Sequence, residues 1–485
     1  MTRTGRPDEA TRAAPVDGLR TIQVLACCLG AFLAVLNQTL VATALPAIQR
    51  RFQVDHATVS LVVDTYTLTL AGLMLLSGSL ADRLGRRRMF LSGLGVFAVG
   101  SAGCALAPGL ETLVLARIVQ AAGGCLLTPA TLAILVHSYR DRGRRTRAVG
   151  IWSGGVGAGV ALGPLVGGAL SDTFGWPSIF WLTAVCAVAS IGPALTLPES
   201  RSATARLDLP GQAAVILFLA ALTYTLINGG ERGWTSRREL ASYAAVLLLG
   251  AILVMVERRA PHPVLDRYLL AQRDFVGSAT AIFLVYAAMM AFVVYTAAYL
   301  QEARHLHATA AGAAMLPSMV PAILLGSRAG RIAMSFGTRR LAVLSCLLMS
   351  CALGAMAGSP MDQPLVWSCA GYLILGLGFG LFVGPVTAAA VGCAPADRGG
   401  VAAATVSAVR QVGNTLGVAV VGAIVEARVA AARTSPVRGL SAGVHLGYLV
   451  TGAGALLAAA LAAAVLRPRR HRAPGLPQHE GRRAG

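Results

Sequence analysis

Fourteen mostly apolar stretches of about 20 residues recur along this chain, at roughly 22–44, 58–81, 89–107, 110–136, 148–170, 177–197, 210–230, 239–256, 274–300, 308–333, 340–358, 364–390, 399–425 and 444–466. A helix of that length crosses the roughly 30 Å hydrocarbon core of a bilayer. Backbone groups have no water to bond there, so each run must satisfy its own hydrogen bonds. The expected fold class is therefore an all-α integral membrane protein with fourteen transmembrane helices. The charged fraction agrees: it is 13%, against about 25% in an ordinary soluble chain. The net charge of +20 suggests nucleic acid, but the basic residues lie in short loops between apolar runs and not along one soluble face. All 41 of them are arginine. The nine cysteines form no C-x-x-C pair and lie within or beside apolar runs. They read as reduced filler, with no metal site or disulfide frame. Residues 1–20 carry no cleavable signal pattern, so the first run is expected to direct insertion.

Arginine placement gives the orientation. The N-terminal tail, the even-numbered loops and the C-terminal tail hold 28 arginines, the odd-numbered loops hold 9, and four lie within spans. Cytoplasmic loops are the arginine-rich ones, so both termini are expected in the cytoplasm of a multi-pass protein of the cell inner or plasma membrane.

The densest loop is Gly78-Ser-Leu-Ala-Asp82-Arg83-Leu-Gly85-Arg86-Arg87-Arg88, between the second and third spans. Its glycines permit a tight turn, and Asp82 offers a carboxylate to the arginines. A weaker copy, Gly330-Arg-Ile-Ala-Met334-Ser-Phe-Gly337-Thr-Arg339-Arg340, follows the tenth span with the same glycine spacing and methionine in place of the aspartate. Two six-helix halves separated by an extra helix pair would give that offset, and parallel repeats around a midplane site are a transporter architecture. The expected organisation is a tail at 1–21, a six-helix bundle at 22–197, linkers and two inserted central helices at 198–273, a second six-helix bundle at 274–466 and a tail at 467–485.

The loop at 78–88 resembles the signature G-x-L-A-D-R-x-G-R-[KR] of the major facilitator superfamily and matches it at every specified position. The fourteen-span layout resembles the family's drug:proton antiporters over nearly the whole chain. That resemblance implies a gating loop formed by Gly78, Asp82, Arg83, Gly85 and Arg86. In the fifth span, Gly159-Val-Ala-Leu-Gly163-Pro164-Leu-Val-Gly167-Gly168 is similar to the antiporter motif G-x-x-x-G-P-x-x-G-G. Glycine at every fourth position lets a neighbouring backbone approach closely, which is also ordinary helix packing; the Gly-Pro step favours the exporter reading. The aromatic-basic patch that usually follows is Phe174-Gly-Trp176-Pro177 here, with proline where arginine is usual. Trp176 and Trp181 read more simply as interface anchors.

Charge inside the membrane is costly and marks function. Arg117 lies in a segment, Arg117-Ile-Val-Gln120-Ala121-Ala-Gly123, that resembles the fourth-span motif R-x-x-Q-G-x-G, with alanine for the first glycine. Arg410, followed by Gln411 and Asn414, is similar to a thirteenth-span pattern of fourteen-span exporters. Asp64 is the one carboxylate well inside a span. Asn37 stands where the family's first-span motif usually has aspartate, and asparagine cannot titrate. Asn37, Asp64 and Arg117 lie at a similar depth, roughly 9–11 Å below one helix end, which suggests a shared cavity. Proton coupling is accordingly expected at Asp64 and Arg117, a static pair being the plainer alternative. The substrate-cavity candidates are Asn37, Gln38, Tyr66, Gln120, Arg410, Gln411 and Asn414.

The expected function is proton-coupled export of an antibiotic, drug or similar toxic small molecule by a monomer in the lipid bilayer, with protons as the counter-substrate. The rival within transporters is export of an endogenous secondary metabolite, anionic ones included. The rival from another class is a membrane-embedded enzyme or sensor, against which stands the absence of an H-E-x-x-H pattern. No catalytic residue, metal or cofactor is expected, and without lysine no phosphate-binding G-x-x-x-x-G-K-[ST] loop can form. Reporter fusions at the C-terminus and in the 257–273 loop should both report cytoplasm; a periplasm-active reporter at either point rejects the layout.

Overall fold

The computed structural model describes residues 19–139, 142–200, 209–232, 236–260, 267–360, 363–394, 399–432 and 435–466. Both expected tails and the 201–208 linker fall outside them, apart from a few residues at the tail edges. Among the described residues, fourteen helices of 19 residues or more follow one another. They are α1 (Thr21–Phe52), α2 (His56–Leu84), α3 (Arg86–Ala105), α4 (Leu110–Ser138), α5 (Arg142–Phe174), α6 (Pro177–Leu195), α7 (Leu209–Arg232) and α8 (Arg237–Arg259), then α9 (Arg273–Ala298), α10 (Ala308–Phe336), α11 (Thr338–Ala357), α12 (Leu365–Gly392), α13 (Gly399–Ala431) and α14 (Pro436–Val465). A π-helical turn, Tyr299–Ala303, extends α9. Eleven of these helices contain a stretch long and apolar enough to cross a membrane, and α2 and α7 contain shorter ones, Thr58–Met74 and Pro210–Leu226.

Short polar punctuation sets the helix boundaries. Asp55 starts α2 by accepting from the Thr58 amide at 2.7 Å, which satisfies one of the donors that every helix start leaves open. Between α2 and α3 the chain turns at Gly85, φ +112°. Gly337 makes the corresponding turn between α10 and α11, φ +91°. The faint sequence copy is thus a copied backbone conformation, one that favours glycine.

Helix packing repeats with the same period. Among α1–α6 the principal neighbours are α3 with α4, α1 with α5, α2 with α4, α3 with α6 and α1 with α6. Eight helices later the same five pairings recur: α11 with α12, α9 with α13, α10 with α12, α11 with α14 and α9 with α14. The two sets meet through α5 against α10 and α2 against α13, while α7 lies against both α2 and α13 and carries α8 on its outside.

The apolar core is distributed unevenly between the two ends. At the end holding the C-termini of α1 and α5, one cluster runs from Val41, Leu45, Val59 and Phe180 without interruption into Phe292, Met315 and Tyr448 of the last six helices. Toward the arginine-loop end, the first six helices keep a separate core around Ala31, Tyr66, Phe90 and Phe97. The core of the first set therefore merges with that of the second at one end and stays separate from it toward the other. The turn at Gly85 is pinned from outside: a β-carbon there would sit 2.6 Å from Glu199 Oε1. Gly85→Ala should therefore destabilise the purified protein by about 1–3 kcal/mol, read as a lower melting temperature. Gly95→Ala, with nothing within 4 Å of an added β-carbon, should leave it unchanged or slightly raised.

Candidate functional site: a glycine seam and a buried polar network between the two helix sets

Helix α5 uses its small residues on two flanks. On one, a β-carbon at Gly159 would sit 2.8 Å from the Phe32 carbonyl oxygen, and one at Gly167 would sit 2.6 Å from that of Leu40. At Gly163 it would fall onto the Thr39 side chain, whose hydroxyl donates to the Gly159 carbonyl at 3.2 Å. On the other flank the backbone at Pro164 and Gly168 meets the start of α10. A β-carbon at Gly312 would overlap the Pro164 carbonyl, and one at Gly168 would overlap that of Ala308. The motif at 159–168 thus joins α5 to α1 and to α10 together.

Asp172 secures this seam just beyond its last glycine. Its carboxylate accepts from the Thr309 amide at 2.7 Å, the Thr309 hydroxyl at 2.6 Å and the Ala308 amide at 3.3 Å. It thereby caps the N-terminus of a helix from the other set, where the exposed amides favour a negative charge. Partial burial works against its charged form, but these hydrogen bonds and the nearby His307 hold the carboxyl below the ordinary aspartate range. A second tie lies close by, from Gln301 Nε2 to the Thr43 carbonyl at 3.0 Å.

Beneath the seam, Arg117 is fully buried. Its Nε donates to the Val62 carbonyl at 2.8 Å and its Nη1 to Gln120 Oε1 at 2.7 Å. Its guanidinium lies 4.1 Å from the Tyr66 ring centroid. Charge-assisted hydrogen bonds of about 1.5–3 kcal/mol each and a desolvated cation–π contact of about 2 kcal/mol are large enough to offset the roughly 2.5–3.5 kcal/mol insertion cost. Gln120 continues the network to Ser101 Oγ at 2.7 Å and to Asn37, with which it exchanges two carboxamide bonds at 3.1 and 3.3 Å. Thr183 extends it by donating to Ser101 at 3.3 Å. The Tyr66 hydroxyl donates to the Ala34 carbonyl at 3.2 Å.

Asp64 stands outside this network. It is 1% exposed, and neither carboxylate oxygen has a hydrogen-bond partner. The structure brings Asn37 and Arg117 together through Gln120, but it forms no Asp64–Arg117 ion pair. Helix geometry explains why. Residues 62 and 66 are one turn apart on the face of α2 that Arg117 covers, and Asp64 is two residues from each, about 200° away around the helix. It is turned instead toward the last six helices, where Tyr295 lies within electrostatic reach of both Asp64 and Glu426. The Tyr295 hydroxyl donates to the Val418 carbonyl at 3.1 Å.

The two sets also touch near mid-helix. Asn414 Nδ2 donates to Gln38 Oε1 at 3.4 Å across the interface and to Gln411 Oε1 at 3.0 Å within α13. Arg410, one turn nearer the arginine-loop end, is half-buried and lies 5.5 Å from the centroid of the Tyr286 ring. The surroundings of Gly78 and the side chain of Asp82 are outside what is described. Arg83 is exposed, and Arg86 Nη1 donates to the Ala133 carbonyl at 3.4 Å. The loop docks on the end of α6 through Glu199, which accepts from the amides of Arg87 at 3.2 Å and Arg88 at 3.3 Å. Sequence reasoning missed Glu199, Asp172, Tyr295, Ser101 and Thr183. Asp172 carried a usable signal, an acid directly after a glycine ribbon; the others are ordinary residues until the fold assembles them. Trp176 is packed against Phe52 and Phe180, while Trp181 faces outward, 44% exposed.

Two helix sets with a repeated packing scheme, sealed against each other at one end and holding buried polar groups deep within apolar helices, define a membrane transporter. The chain belongs to the Major Facilitator Superfamily, whose family profile matches residues 27–418. The methylenomycin A resistance protein of Streptomyces coelicolor is 33% identical over 85% of this chain and 88% of that protein. The tetracenomycin C resistance and export protein of Streptomyces glaucescens is 30% identical over 86% and 78%. Among solved structures, a peptide transporter POT in complex with sulfate superimposes with a TM-score of 0.66 at 18% identity, covering 93% of this chain and 96% of that one. The protein is a transporter and not an enzyme.

Two predictions follow from the seam. Gly163→Leu should insert at normal abundance yet lose export, because leucine cannot occupy the space of Thr39; full activity would show that the interface is not tight. Asp172→Asn should loosen only the far seam. Labelling of a cysteine at the buried Thr43 position, with native cysteines replaced, should rise at least about fivefold, the low end of ordinary coupling energies. Acid should do the same. Because the folded-state carboxyl lies below its ordinary value, the latch is complete above the ordinary aspartate range and is lost only as pH falls through the lowered value.

Proposed function

We propose that this transporter exports an antibiotic, drug or similar toxic small molecule across the cell membrane in exchange for protons. The observation that carries the coupling is Asp64: a fully buried carboxyl with two unpartnered oxygens, on the face of α2 that meets the other helix set. Such a group needs a proton or a counter-charge to be tolerated, and an exchanger must present it to each side in turn. The resistance exporters among its relatives supply the direction and the class of cargo.

In this reading all fourteen helices span the bilayer with both termini cytoplasmic. α1–α6 and α9–α14 are the two bundles of a monomer, and α7 and α8 are inserted between them. The arginine-loop end is cytoplasmic, so the sealed seam at Asp172 and Thr309 faces outward and the arrangement is open to the cytoplasm. Cargo enters between the bundles, beside Gln38, Asn414 and Arg410. Opening of the seam exposes Asp64 to the outside, where a proton is loaded; reclosure returns it toward the cytoplasm. Arg117 is committed to Gln120, Val62 and Tyr66, and its part is to hold the shape of the first bundle and its electrostatic field. The loop from Gly78 to Arg88, docked on Glu199, connects that bundle's cytoplasmic ends. Export of an endogenous metabolite uses the same machinery and differs only in cargo.

Asp64→Asn should fold and bind substrate but lose export driven by a pH difference. Reconstituted vesicles check this: if the variant still concentrates substrate when only a pH difference is imposed, Asp64 is not the essential proton carrier.

A further inference from the structure

Arg410 is placed unlike Arg117, although both are arginines deep within apolar helices. Arg117 is fully buried and bonded inside its own helix set. Arg410 is half-buried and packs on the ring of Tyr286. That ring is braced edge-on by Phe379, with centroids 5.3 Å apart. Among the described residues no carboxylate lies within ion-pair distance of Arg410.

Its position on α13 fixes what it faces. Residues 410 and 414 are one turn apart on one helix face, and Asn414 reaches Gln38 across the interface. Arg410 therefore borders the interface one turn from that contact, on the side where the two apolar cores separate. Gln411 and Asn414, both buried, stand beside it. A guanidinium carries five donors in a planar fork that matches an oxyanion. The half-buried Tyr286 ring, backed by the buried Phe379, offers an apolar surface next to that charge.

The remaining fixed charge points the same way. Arg117 adds a second positive charge in the other bundle and keeps one nitrogen, Nη2, without an acceptor. Asp64 is turned toward Tyr295 and away from Arg117. An anion entering between the bundles meets Arg410 at the interface and is attracted at longer range by Arg117, which stays buried inside the first bundle.

We infer that Arg410, flanked by the carboxamides of Gln411, Asn414 and Gln38, binds the oxyanion of an organic anion whose apolar body rests on the Tyr286 ring, so that the exported class is anionic. This rests on the export reading and deepens it by naming the charge of the cargo.

The test uses the full-length purified protein and three probes of related size: a naphthalenesulfonate as permanent anion, its neutral sulfonamide, and ethidium as permanent cation. Binding in detergent is measured by thermal shift, and transport in proteoliposomes under a pH difference. The wild type should bind and transport the sulfonate in preference to the other two. Arg410→Gln, folded by size-exclusion and melting criteria, should weaken sulfonate binding by roughly 30-fold or more, the cost of removing one partner of a desolvated charge pair. Arg410→Lys keeps the charge without the fork and should fall in between; it also serves if the glutamine variant does not fold. Ethidium binding and transport without sulfonate binding overturns the anionic assignment and leaves export standing. Equal weakening of all three probes by Arg410→Gln assigns the residue to structure and also overturns it. Arginine-dependent sulfonate binding without transport of any probe upholds the site and removes the export reading. Absence of sulfonate binding to the wild type rejects the inference outright.

Discussion

The backbone contact along α5 is the constraint on which the rest of this structure depends. Helices in lipid gain little from burying apolar faces against each other, so close association relies on packing and on hydrogen bonds made at short range. Here α5 meets α1 on one flank and α10 on the other, both through glycine positions that leave no room for a β-carbon. Because the same helix makes both contacts, the internal packing of the first bundle and its docking on the second are tied together. Any rotation that loosens α5 from α10 must also move the α1 residues beside it, and α1 carries Asn37 and Gln38.

That coupling gives the polar groups a mechanical context. Asn37, Gln120 and Arg117 form a connected network inside one helix set, which resists rearrangement because breaking any member strands another. Asp64 and the Gln38–Asn414 contact lie at the boundary between the sets. The protein thus separates a rigid charge, Arg117, from a titratable one, Asp64. It places the titratable one where alternation would change its surroundings.

Much of this was legible in the sequence, and particular residues show where legibility ends. The helix count, the glycine ribbon and the turn copied from Gly85 at Gly337 follow from local rules of spacing and backbone conformation, so they could be read directly. Depth was legible too, since Asn37, Asp64 and Arg117 could be placed from their distance to a helix end. Direction around the axis was not. Two residues of offset on α2 turn Asp64 away from the arginine that shares its depth, and only assembled neighbours decide which face Arg117 takes. Asp172 was hidden for a related reason. Its partners are backbone amides 136 and 137 residues away, which no side-chain pattern announces.

The central claim is that the α5–α10 seam is one closed state of a gate and not a permanent weld. The direct measurement is a distance distribution between spin labels at the far ends of α5 and α10, in a variant whose nine native cysteines are replaced, recorded in lipid nanodiscs with substrate and pH varied. The account predicts a short distance matching the sealed structure and a second, longer population, with the balance shifting as pH or substrate changes. A single short distance under every condition would contradict it.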